Sequence, residues 1–291
     1  MKKKIALIIN PISGVGRQRV VEQLATTYID TSAIDYKIVY TQYAGHLTEL
    51  CRQYADQNYD VVCAVGGDGT MHEAANGLIN SNTALCIVPT GSGNGLARHL
   101  GISLNLKQAL QQLNNYHITS IDCIQFNNIY FVNVAGIGFD AYVAHAFANA
   151  SKRGLSTYIK LCMRCISNYT PVTITLTTPN NDTTTATYFI VAIANASQYG
   201  NNATIYPNGK LTNGTMGITL VKPIPWWQIP IFITQLFTRK LTPNKYITML
   251  ESKTLTLTQS TNIAHADGEP LHNATNITCK VVPNALKIVR A

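Results

Sequence analysis

Short apolar runs alternate with segments of helical spacing along the first third of the chain. The apolar runs predict strands at 4–9, 36–40, 61–65 and 85–88. The periodic segments predict helices at 17–28, 47–55, 71–79 and 96–100. A strict alternation of strands and helices requires crossover connections, which produce a mostly parallel sheet. Continuous apolar strands such as 61–65 are typical of these sheets because helices cover both faces. The pattern therefore predicts an α/β domain built on an open, mostly parallel sheet.

The pattern changes after about residue 120, where Thr, Asn, Ile and Val alternate in short runs. Alternation of apolar and polar positions predicts half-buried antiparallel strands. We expect these strands at 172–177, 188–194, 216–221 and 254–258. Two segments of helical spacing, 141–166 and 226–237, interrupt them. The second part of the chain is therefore predicted to be a separate, β-rich domain.

Composition narrows the class of protein and its partners. With 46% hydrophobic and 12% charged residues among 291, the chain is expected to be globular rather than disordered. No apolar run reaches the roughly 18 residues that a membrane-spanning helix needs. The net charge of +8 favours anionic partners. Since Lys2 to Lys4 is the only dense basic run, we expect no nucleic-acid partner. Seven scattered cysteines favour a reducing cytoplasm over a disulfide framework.

Three glycine-containing loops each follow a predicted strand, at 10–14, 66–70 and 89–95. Glycine lets backbone N–H groups approach a phosphate, and a helix that follows offers its N-terminus to the anion. Because the Asp68 carboxylate repels a phosphate, its better partner is a metal, a ribose or a hydroxyl. The structural alternative is an ordinary glycine turn in which Asp68 caps the next helix.

The common position of these loops favours ligand binding over that alternative. In an open parallel sheet, ligands bind beyond the carboxyl ends of the strands, where all three loops would gather. The chain has no G-x-x-x-x-G-K-S/T motif, which argues against a P-loop enzyme. It also has no strict G-x-G-x-x-G motif, which argues against a dinucleotide oxidoreductase.

Further motifs extend over nearly the whole chain. They are NPISG at 10–14, Thr41 before Gly45-His46, GGDGTMHEAANGL at 66–78, PTGSGNGLARHLG at 89–101, GIGFDA at 136–141 and Asp267-Gly268-Glu269. In this order they resemble the diacylglycerol kinase catalytic-domain family, which includes bacterial lipid kinases and sphingosine kinases. NAD kinases share GGDGT, but GSGNGLA and the late Asp-Gly-Glu favour the lipid kinases.

The resemblance implies a NAD kinase/diacylglycerol kinase-like fold and a set of site residues. We expect an α/β ATP-binding domain at 1–122, joined by the C-terminal strand 284–291, and a β-sandwich lipid-substrate domain at 123–283. ATP and Mg²⁺ are the implied cofactors. The implied ATP-site residues are Asn10, Pro11, Ser13, Gly14, Thr41, Gly66, Gly67, Asp68, Gly69, Thr70, His72, Thr90, Gly91, Ser92 and Asn94.

The resemblance also implies catalytic carboxylates. Glu269 is the implied general base, with Asp267 beside it, and Asp68 acts at the phosphate or metal end of the ATP site. Asp68 and Asp267 are the implied metal-binding carboxylates. Since Asp-Gly-Glu also suits a tight turn, a solvated hairpin is the structural alternative for this motif.

We therefore expect an ATP-dependent lipid kinase that transfers the γ-phosphate to a hydroxyl of diacylglycerol or a sphingoid base. Phosphoryl transfer needs alignment, charge neutralisation and a base for the hydroxyl proton. The alternatives are a NAD kinase-like enzyme with a soluble substrate and a lipid- or nucleotide-binding protein without turnover. We expect a cytoplasmic protein that associates peripherally with the membrane of its lipid substrate, and a homodimer is a possible assembly.

Two positions bear on the metal and the substrate. Bacterial members of the family often hold a structural Mg²⁺ with an Asp where this chain has Asn213, and a neutral oxygen binds a hard cation more weakly, so that site is doubtful here. Asp140 resembles the acid that sphingosine kinases direct at the lipid amine, which makes it a candidate substrate-binding residue. Capping of a helix that starts at Ala141 is an equally supported role.

The segment from Pro225 to Lys240 is apolar, with paired tryptophans near one end and two basic residues at the other. We favour a core helix for it, and a segment lying at a lipid surface is the alternative. We assign no metal or redox role to the Cys162 and Cys165 pair and no role to His265, because their spacing completes no metal site.

Overall fold

The computed structural model describes residues 2–13, 17–150, 154–177 and 183–291. Its strands are β1 (Lys3–Ile9), β2 (Ile34–Tyr40), β3 (Val61–Gly66), β4 (Ala84–Pro89), β5 (His117–Phe126), β6 (Ile129–Phe131), β7 (Val134–Gly138), β8 (Val172–Thr177), β9 (Thr183–Tyr188), β10 (Ile190–Ala194), β11 (Gln198–Gly200), β12 (Ala203–Thr204), β13 (Met216–Val221), β14 (Ile247–Ser252), β15 (Thr254–Gln259), β16 (Ala264–Ala266), β17 (Glu269–Leu271) and β18 (Asn276–Arg290). Its helices are α1 (Val21–Tyr28), α2 (His46–Asp56), α3 (Asp68–Leu78), α4 (Gly95–His99), α5 (Leu106–Gln111), α6 (Phe139–Ala148), α7 (Leu155–Ile166) and α8 (Ile229–Thr238), with 3-10 turns at Arg17–Val20, Gln112–Asn114 and Trp226–Gln228.

The chain divides into two compact units, Met1–Asp122 with Pro283–Ala291 and Cys123–Val282. The first unit is built on a sheet with the strand order β2-β1-β3-β4-β18. All four of these pairings are parallel, and Ile5 lies opposite Val61 in the register of β1 with β3. This confirms the predicted open, mostly parallel sheet.

Burial explains why apolar and polar residues do not alternate along the central strands of this unit. Every residue of β3 and β4 is buried, and so are the last five residues of β1. The core on one face of the sheet combines side chains of these strands with apolar residues of α1 and α5, such as Ala25 and Leu110. Helices α2 and α3 pack against each other, and the Gly77 backbone lies close to Thr48 and Cys51.

The second unit contains two largely antiparallel sheets. One has the order β14-β13-β10-β7-β16-β17, and the other contains β18-β15-β8-β9. Their facing side chains form one core, to which Ile174 and Leu257 contribute from one sheet and Val191 and Ile218 from the other. This arrangement is a β-sandwich, as the family resemblance implies for the second domain.

The structure corrects two expectations in this unit. Strands β10 and β13 are buried on both faces rather than half-buried, because helices α6, α7 and α8 add a second core on the outer face of their sheet. The predicted helix at 141–166 is two helices, since α6 ends at Ala148 and α7 begins after Gly154, which has a φ of +113°.

Candidate functional site

The three predicted loops begin side by side at the carboxyl ends of parallel strands. The backbone N–H of Asn10, after β1, donates to the carbonyl of Val65 at 3.1 Å. The N–H of Thr90, after β4, donates to the carbonyl of Gly66 at 2.9 Å. These hydrogen bonds continue the sheet ladder by one step, so the loops leave β1, β3 and β4 at one edge of the sheet.

Side chains then tie the first loop to the second. The Asn10 amide nitrogen donates to the Thr70 hydroxyl at 3.4 Å, while its oxygen accepts from the N–H of Ile12 at 3.1 Å. The Ser13 hydroxyl donates to the Asn10 carbonyl at 2.9 Å. A side chain at Gly66 would overlap the Thr70 side chain, so the approach of α3 to the end of β3 requires glycine there.

The second and third loops are in backbone-to-backbone contact. A Cβ atom added at Gly91 would lie 2.6 Å from the Cα atom of Gly67, and one added at Gly67 would lie 3.3 Å from the Cα atom of Gly91. The obstructing atoms belong to the main chain and cannot rotate away. Glycine at Gly91 therefore sets how closely the two loops approach.

Asp68 fixes the third loop from the first turn of α3. One carboxylate oxygen accepts from the N–H of Asn94 at 2.8 Å, and the other accepts from the N–H of Gly95 at 2.7 Å. The Asn94 side chain donates to the Gly91 carbonyl at 2.7 Å, and Asn94 itself has a φ of +49°. The Asp68 carboxylate thus binds amides at the start of α4, and it lies in the first turn of its own helix, α3.

The other predicted nucleotide-site residues differ in exposure. Thr41 follows β2, is buried, and donates its N–H to the Ile9 carbonyl at 3.0 Å. Thr90 is fully buried, and its hydroxyl has no hydrogen-bond partner within the described part of the chain. His72 lies half-buried on α3, where its carbonyl accepts from the Asn76 amide at 2.9 Å. The remaining members are placed as follows: Pro11 and Ser92 are exposed, Gly69 is half-buried in α3, and Gly14 is outside the described residues.

In the second unit, Asp267 and Gly268 form the turn between β16 and β17. Their φ angles of +53° and +86° suit a tight two-residue hairpin turn. The Asp267 carboxylate is 9% exposed and accepts from the N–H groups of Asn133 at 2.8 Å and Val132 at 3.1 Å. Glu269, opposite Ala266 in the hairpin, is exposed. The two acids of the motif therefore have different surroundings. The Asp267 carboxylate is hydrogen bonded to backbone N–H groups, whereas Glu269 is exposed to solvent.

Asp140 lies in a buried polar cluster that the sequence did not reveal. Its carboxylate accepts from the Tyr199 hydroxyl at 2.8 Å and from the N–H of Ala141 at 2.8 Å, and it lies 3.3 Å from Nε2 of His265. The glycine at Gly136 makes room for both the Asp140 carboxylate and the His265 ring. Helix α6 begins at Phe139 after Gly138, so the alternative role of Asp140 as the cap of a helix starting at Ala141 is wrong.

The electrostatics of this cluster keep Tyr199 a donor. Burial, together with the neighbouring Asp140 carboxylate, raises the pKa of the Tyr199 hydroxyl well above its ordinary value. The hydroxyl therefore stays protonated at neutral pH and donates to Asp140. Tyr199 and His265 had no signal in the sequence, because they lie 59 and 125 residues from Asp140 along the chain.

The described residues contain no cluster of three or more His, Cys, Asp and Glu that would hold a metal ion without a ligand's help. At the position of the doubtful structural site, the Asn213 side chain is hydrogen bonded to the Thr215 hydroxyl at 2.7 Å. None of the helices in the described ranges is both long and apolar enough to cross a membrane.

Comparison with protein families gives two consecutive matches. A model described as "Diacylglycerol kinase catalytic domain" matches residues 4–126. A second, described as "YegS C-terminal NAD kinase beta sandwich-like domain", matches residues 133–290. The two together account for nearly the whole chain.

Individual relatives agree with these matches. The Bacillus subtilis (strain 168) protein named "Putative lipid kinase YtlR" is 26% identical over 283 residues, covering 90% of this chain and 92% of that protein. The "Diacylglycerol kinase" of Staphylococcus aureus (strain Newman) is 32% identical over 142 residues, which span 47% of this chain and 44% of that enzyme. A solved structure described as a diacylglycerol kinase from Bacillus anthracis str. Sterne superposes with a TM-score of 0.76 at 22% identity, covering 99% of this chain and 97% of that one, and so shares the fold.

Proposed function

Because the chain belongs to the diacylglycerol kinase catalytic-domain family, we propose that it transfers the γ-phosphate of ATP to a hydroxyl group of diacylglycerol, with Glu269 as the general base. At family level, relatives named as diacylglycerol kinases or as a lipid kinase support a lipid kinase.

The proposal that ATP is the phosphate donor rests on the convergence of the three loops. Gly67, Gly69, Gly91 and Gly93 leave main chain half-exposed along the second and third loops. The first N–H groups of α3 have no partner within the helix and suit a phosphate oxygen. Main-chain donors recognise phosphate without repelling one another, as several lysines would. The loops thus fit a triphosphate, whose negative charge their amides would stabilise.

Mg²⁺ would accompany the nucleotide and reduce the charge of its phosphates. This cation usually keeps several waters and takes only one or two carboxylates besides substrate phosphates. Asp68 is the carboxylate that the glycine loops supply. Both of its oxygens accept backbone N–H groups, and an ionised carboxylate offers about four lone-pair sites in all. We propose that the phosphates hold most of the cation's coordination and that Asp68 supports it from the protein side.

Glu269 is proposed as the base because it is an exposed carboxylate on a rigidly held turn. The acceptor hydroxyl oxygen attacks the γ-phosphorus, the bond from this phosphorus to the β,γ-bridging oxygen breaks, and ADP leaves. The hydroxyl proton passes to the Glu269 carboxylate. Asp267, whose oxygens accept from Val132 and Asn133, keeps the turn in place and is proposed as a positioning residue.

The surroundings of Asp140 support a neutral acceptor. A sphingoid base would need a carboxylate free to pair with its ammonium group. The Asp140 carboxylate is 6% exposed and already contacts Tyr199, His265 and the N–H of Ala141. We therefore propose diacylglycerol, which the Staphylococcus relatives have in their names, rather than a sphingoid base.

The test is an acceptor panel. Purified protein is incubated with γ-labelled ATP and Mg²⁺, and diacylglycerol in mixed micelles, a sphingoid base in mixed micelles and NAD are offered in separate reactions. The proposal predicts label in phosphatidate. Label in the sphingoid phosphate would overturn the choice of acceptor and make Asp140 the amine partner. Label only in NADP would overturn the lipid reaction, and label in no product would point to a binding protein without turnover.

A further inference from the structure

The turn at Trp226–Gln228 and helix α8 expose large apolar side chains instead of burying them. Trp226 is 78% exposed, Trp227 60%, Ile231 58%, Ile233 46% and Phe237 44%. We refer to these five residues as the tryptophan surface. Within α8 only the side chain of Phe232 is buried, so the core helix that the sequence favoured is wrong. Exposed apolar patches of this kind mark sites of interaction.

The two exposed threonines of α8 form hydrogen bonds within the helix. The Thr234 hydroxyl donates to the Pro230 carbonyl at 2.8 Å, and the Thr238 hydroxyl donates to the Thr234 carbonyl at 2.8 Å. Both bonds run to the carbonyl four positions earlier in the same helix. Each threonine hydroxyl therefore has a hydrogen-bond acceptor within α8 itself. This face can enter an apolar medium without leaving a hydroxyl unpaired.

The charged residues near the tryptophan surface indicate which kind of partner it binds. The chain from 222 to 247 contains no Asp or Glu. Lys222 precedes the tryptophans, and Arg239 and Lys240 follow α8; all three are exposed. Tryptophan prefers the boundary between lipid headgroups and acyl chains, and basic residues beside an apolar helix face attract anionic lipids.

We propose that the tryptophan surface is a docking site for an anionic lipid membrane, with Trp226 and Trp227 inserted at the level of the headgroups and Arg239 and Lys240 against lipid phosphates. An apolar protein partner would not require the basic residues at both ends. The proposal goes beyond the kinase reaction, because it concerns where the protein binds a membrane and needs no turnover.

The chain supplies its own probe. Trp226 and Trp227 are the only two tryptophans of the protein, so intrinsic tryptophan fluorescence reports on this surface alone. Vesicles of phosphatidylglycerol mixed with phosphatidylcholine should shift the emission to shorter wavelength, and brominated acyl chains should quench it. Vesicles of phosphatidylcholine alone should have a much weaker effect, and added salt should reverse the shift because it screens the charges.

Variants separate the apolar from the electrostatic contribution. Sedimentation with the mixed vesicles should show at least a tenfold loss of affinity in the double variant Trp226→Ala with Trp227→Ala. The double variant Arg239→Gln with Lys240→Gln should lose roughly 25-fold in affinity, at about fivefold for each basic residue near the surface. The matched control Lys37→Gln with Lys253→Gln removes two exposed lysines elsewhere and should retain most of the affinity.

Each other outcome contradicts the proposal. Vesicle binding without a tryptophan shift would put the membrane contact elsewhere on the protein. Emission that is already blue-shifted without lipid and depends on protein concentration would assign the surface to a second copy of the chain. If the protein bound none of the vesicles, the tryptophan surface would not be a membrane-docking site. None of these results depends on the acceptor panel, so failure of the kinase proposal and failure of this one are distinguishable.

Discussion

Nδ1 of His265 accepts a hydrogen bond from the backbone N–H of Gly268 at 3.3 Å. An accepting Nδ1 leaves the ring proton on Nε2, which therefore donates to the Asp140 carboxylate at 3.3 Å. The Tyr199 hydroxyl donates to the same carboxylate. A chain of hydrogen bonds, which we call the relay, thus links Tyr199 through Asp140 and His265 to the turn that precedes Glu269.

Replacing His265 tests this relay. His265→Ala leaves a buried carboxylate short of one donor and the Gly268 N–H without its acceptor, which should lower the free energy of unfolding by about 2 kcal/mol or more. If the turn positions Glu269, kcat should also fall while the KM for ATP stays unchanged. Chemical denaturation and steady-state kinetics measure the two effects. The exposed His117, changed to Ala, is the control, and equal stability of the two variants would contradict the relay.

Asp68 is predicted to stabilise the third loop as well as to support the nucleotide. Asp68→Ala removes two charge-assisted hydrogen bonds to the N–H groups of Asn94 and Gly95. Because the residue is half-exposed, we expect a loss of about 2–3 kcal/mol in stability, together with loss of activity and weaker binding of Mg·ATP. Calorimetry with a non-hydrolysable ATP analogue measures the affinity. The exposed Asp35, changed to Ala, should behave as wild type; unchanged nucleotide binding in Asp68→Ala would remove Asp68 from the site.

Gly91 tests the contact between the second and third loops. Gly91→Ala puts a methyl group 2.6 Å from the Cα atom of Gly67, so the loops must separate at a cost of about 1–3 kcal/mol. Nucleotide affinity should fall at least tenfold because the amides proposed to bind the phosphates would move apart. The exposed Gln111, which belongs to none of the three loops, gives the control Gln111→Ala. Should Gly91→Ala bind the ATP analogue as tightly as Gln111→Ala, the close approach would have no part in binding.

Thiol chemistry provides a test of the core that requires no substrate. Six of the seven cysteines are buried, and Cys162 is half-buried. Burial, and then the neighbouring Cys165, raises the pKa of Cys162 to about 11. Since only the thiolate reacts, labelling of the native protein should be very slow at pH 8 and should accelerate about tenfold for each pH unit towards 11.

The measurement is the absorbance change with an aromatic disulfide reagent. Unfolded protein should release seven equivalents at once, and Cys162→Ser should abolish the slow native reaction. Rapid labelling of a native thiol at pH 8, or a rate that levels off below pH 9, would show that the thiol is not held in apolar surroundings.

The parts of the fold that follow from local pattern were predictable. Buried parallel strands such as 61–65 produce continuous apolar runs, and the glycine loops are readable because Gly91 has a steric reason to lack a side chain. The break between α6 and α7 was missed because the helical spacing continues across it. Gly154 was the available signal, since its positive φ ends any continuous helix at that point.

The parts that depend on distant pairing were not predictable. His265 had no assigned role in the sequence because its partners, Asp140 and Gly268, come together only when β16 pairs with β7 and turns into β17. The outward face of α8 was misread for a related reason. A segment as apolar as this one is usually buried, and only the packed structure shows that Phe232, with the partly buried Leu236, joins the core while the larger part of the helix stays exposed.

We propose that Glu269 takes the proton of a lipid hydroxyl during phosphate transfer from ATP. The most direct measurement compares wild type with Glu269→Gln, following label from γ-labelled ATP into phosphatidate in diacylglycerol micelles. Because Glu269 is exposed, the variant should fold as wild type does. We expect a fall in kcat of at least ~10²-fold with unchanged affinity for ATP. Wild-type turnover in the variant would show that Glu269 is not the base.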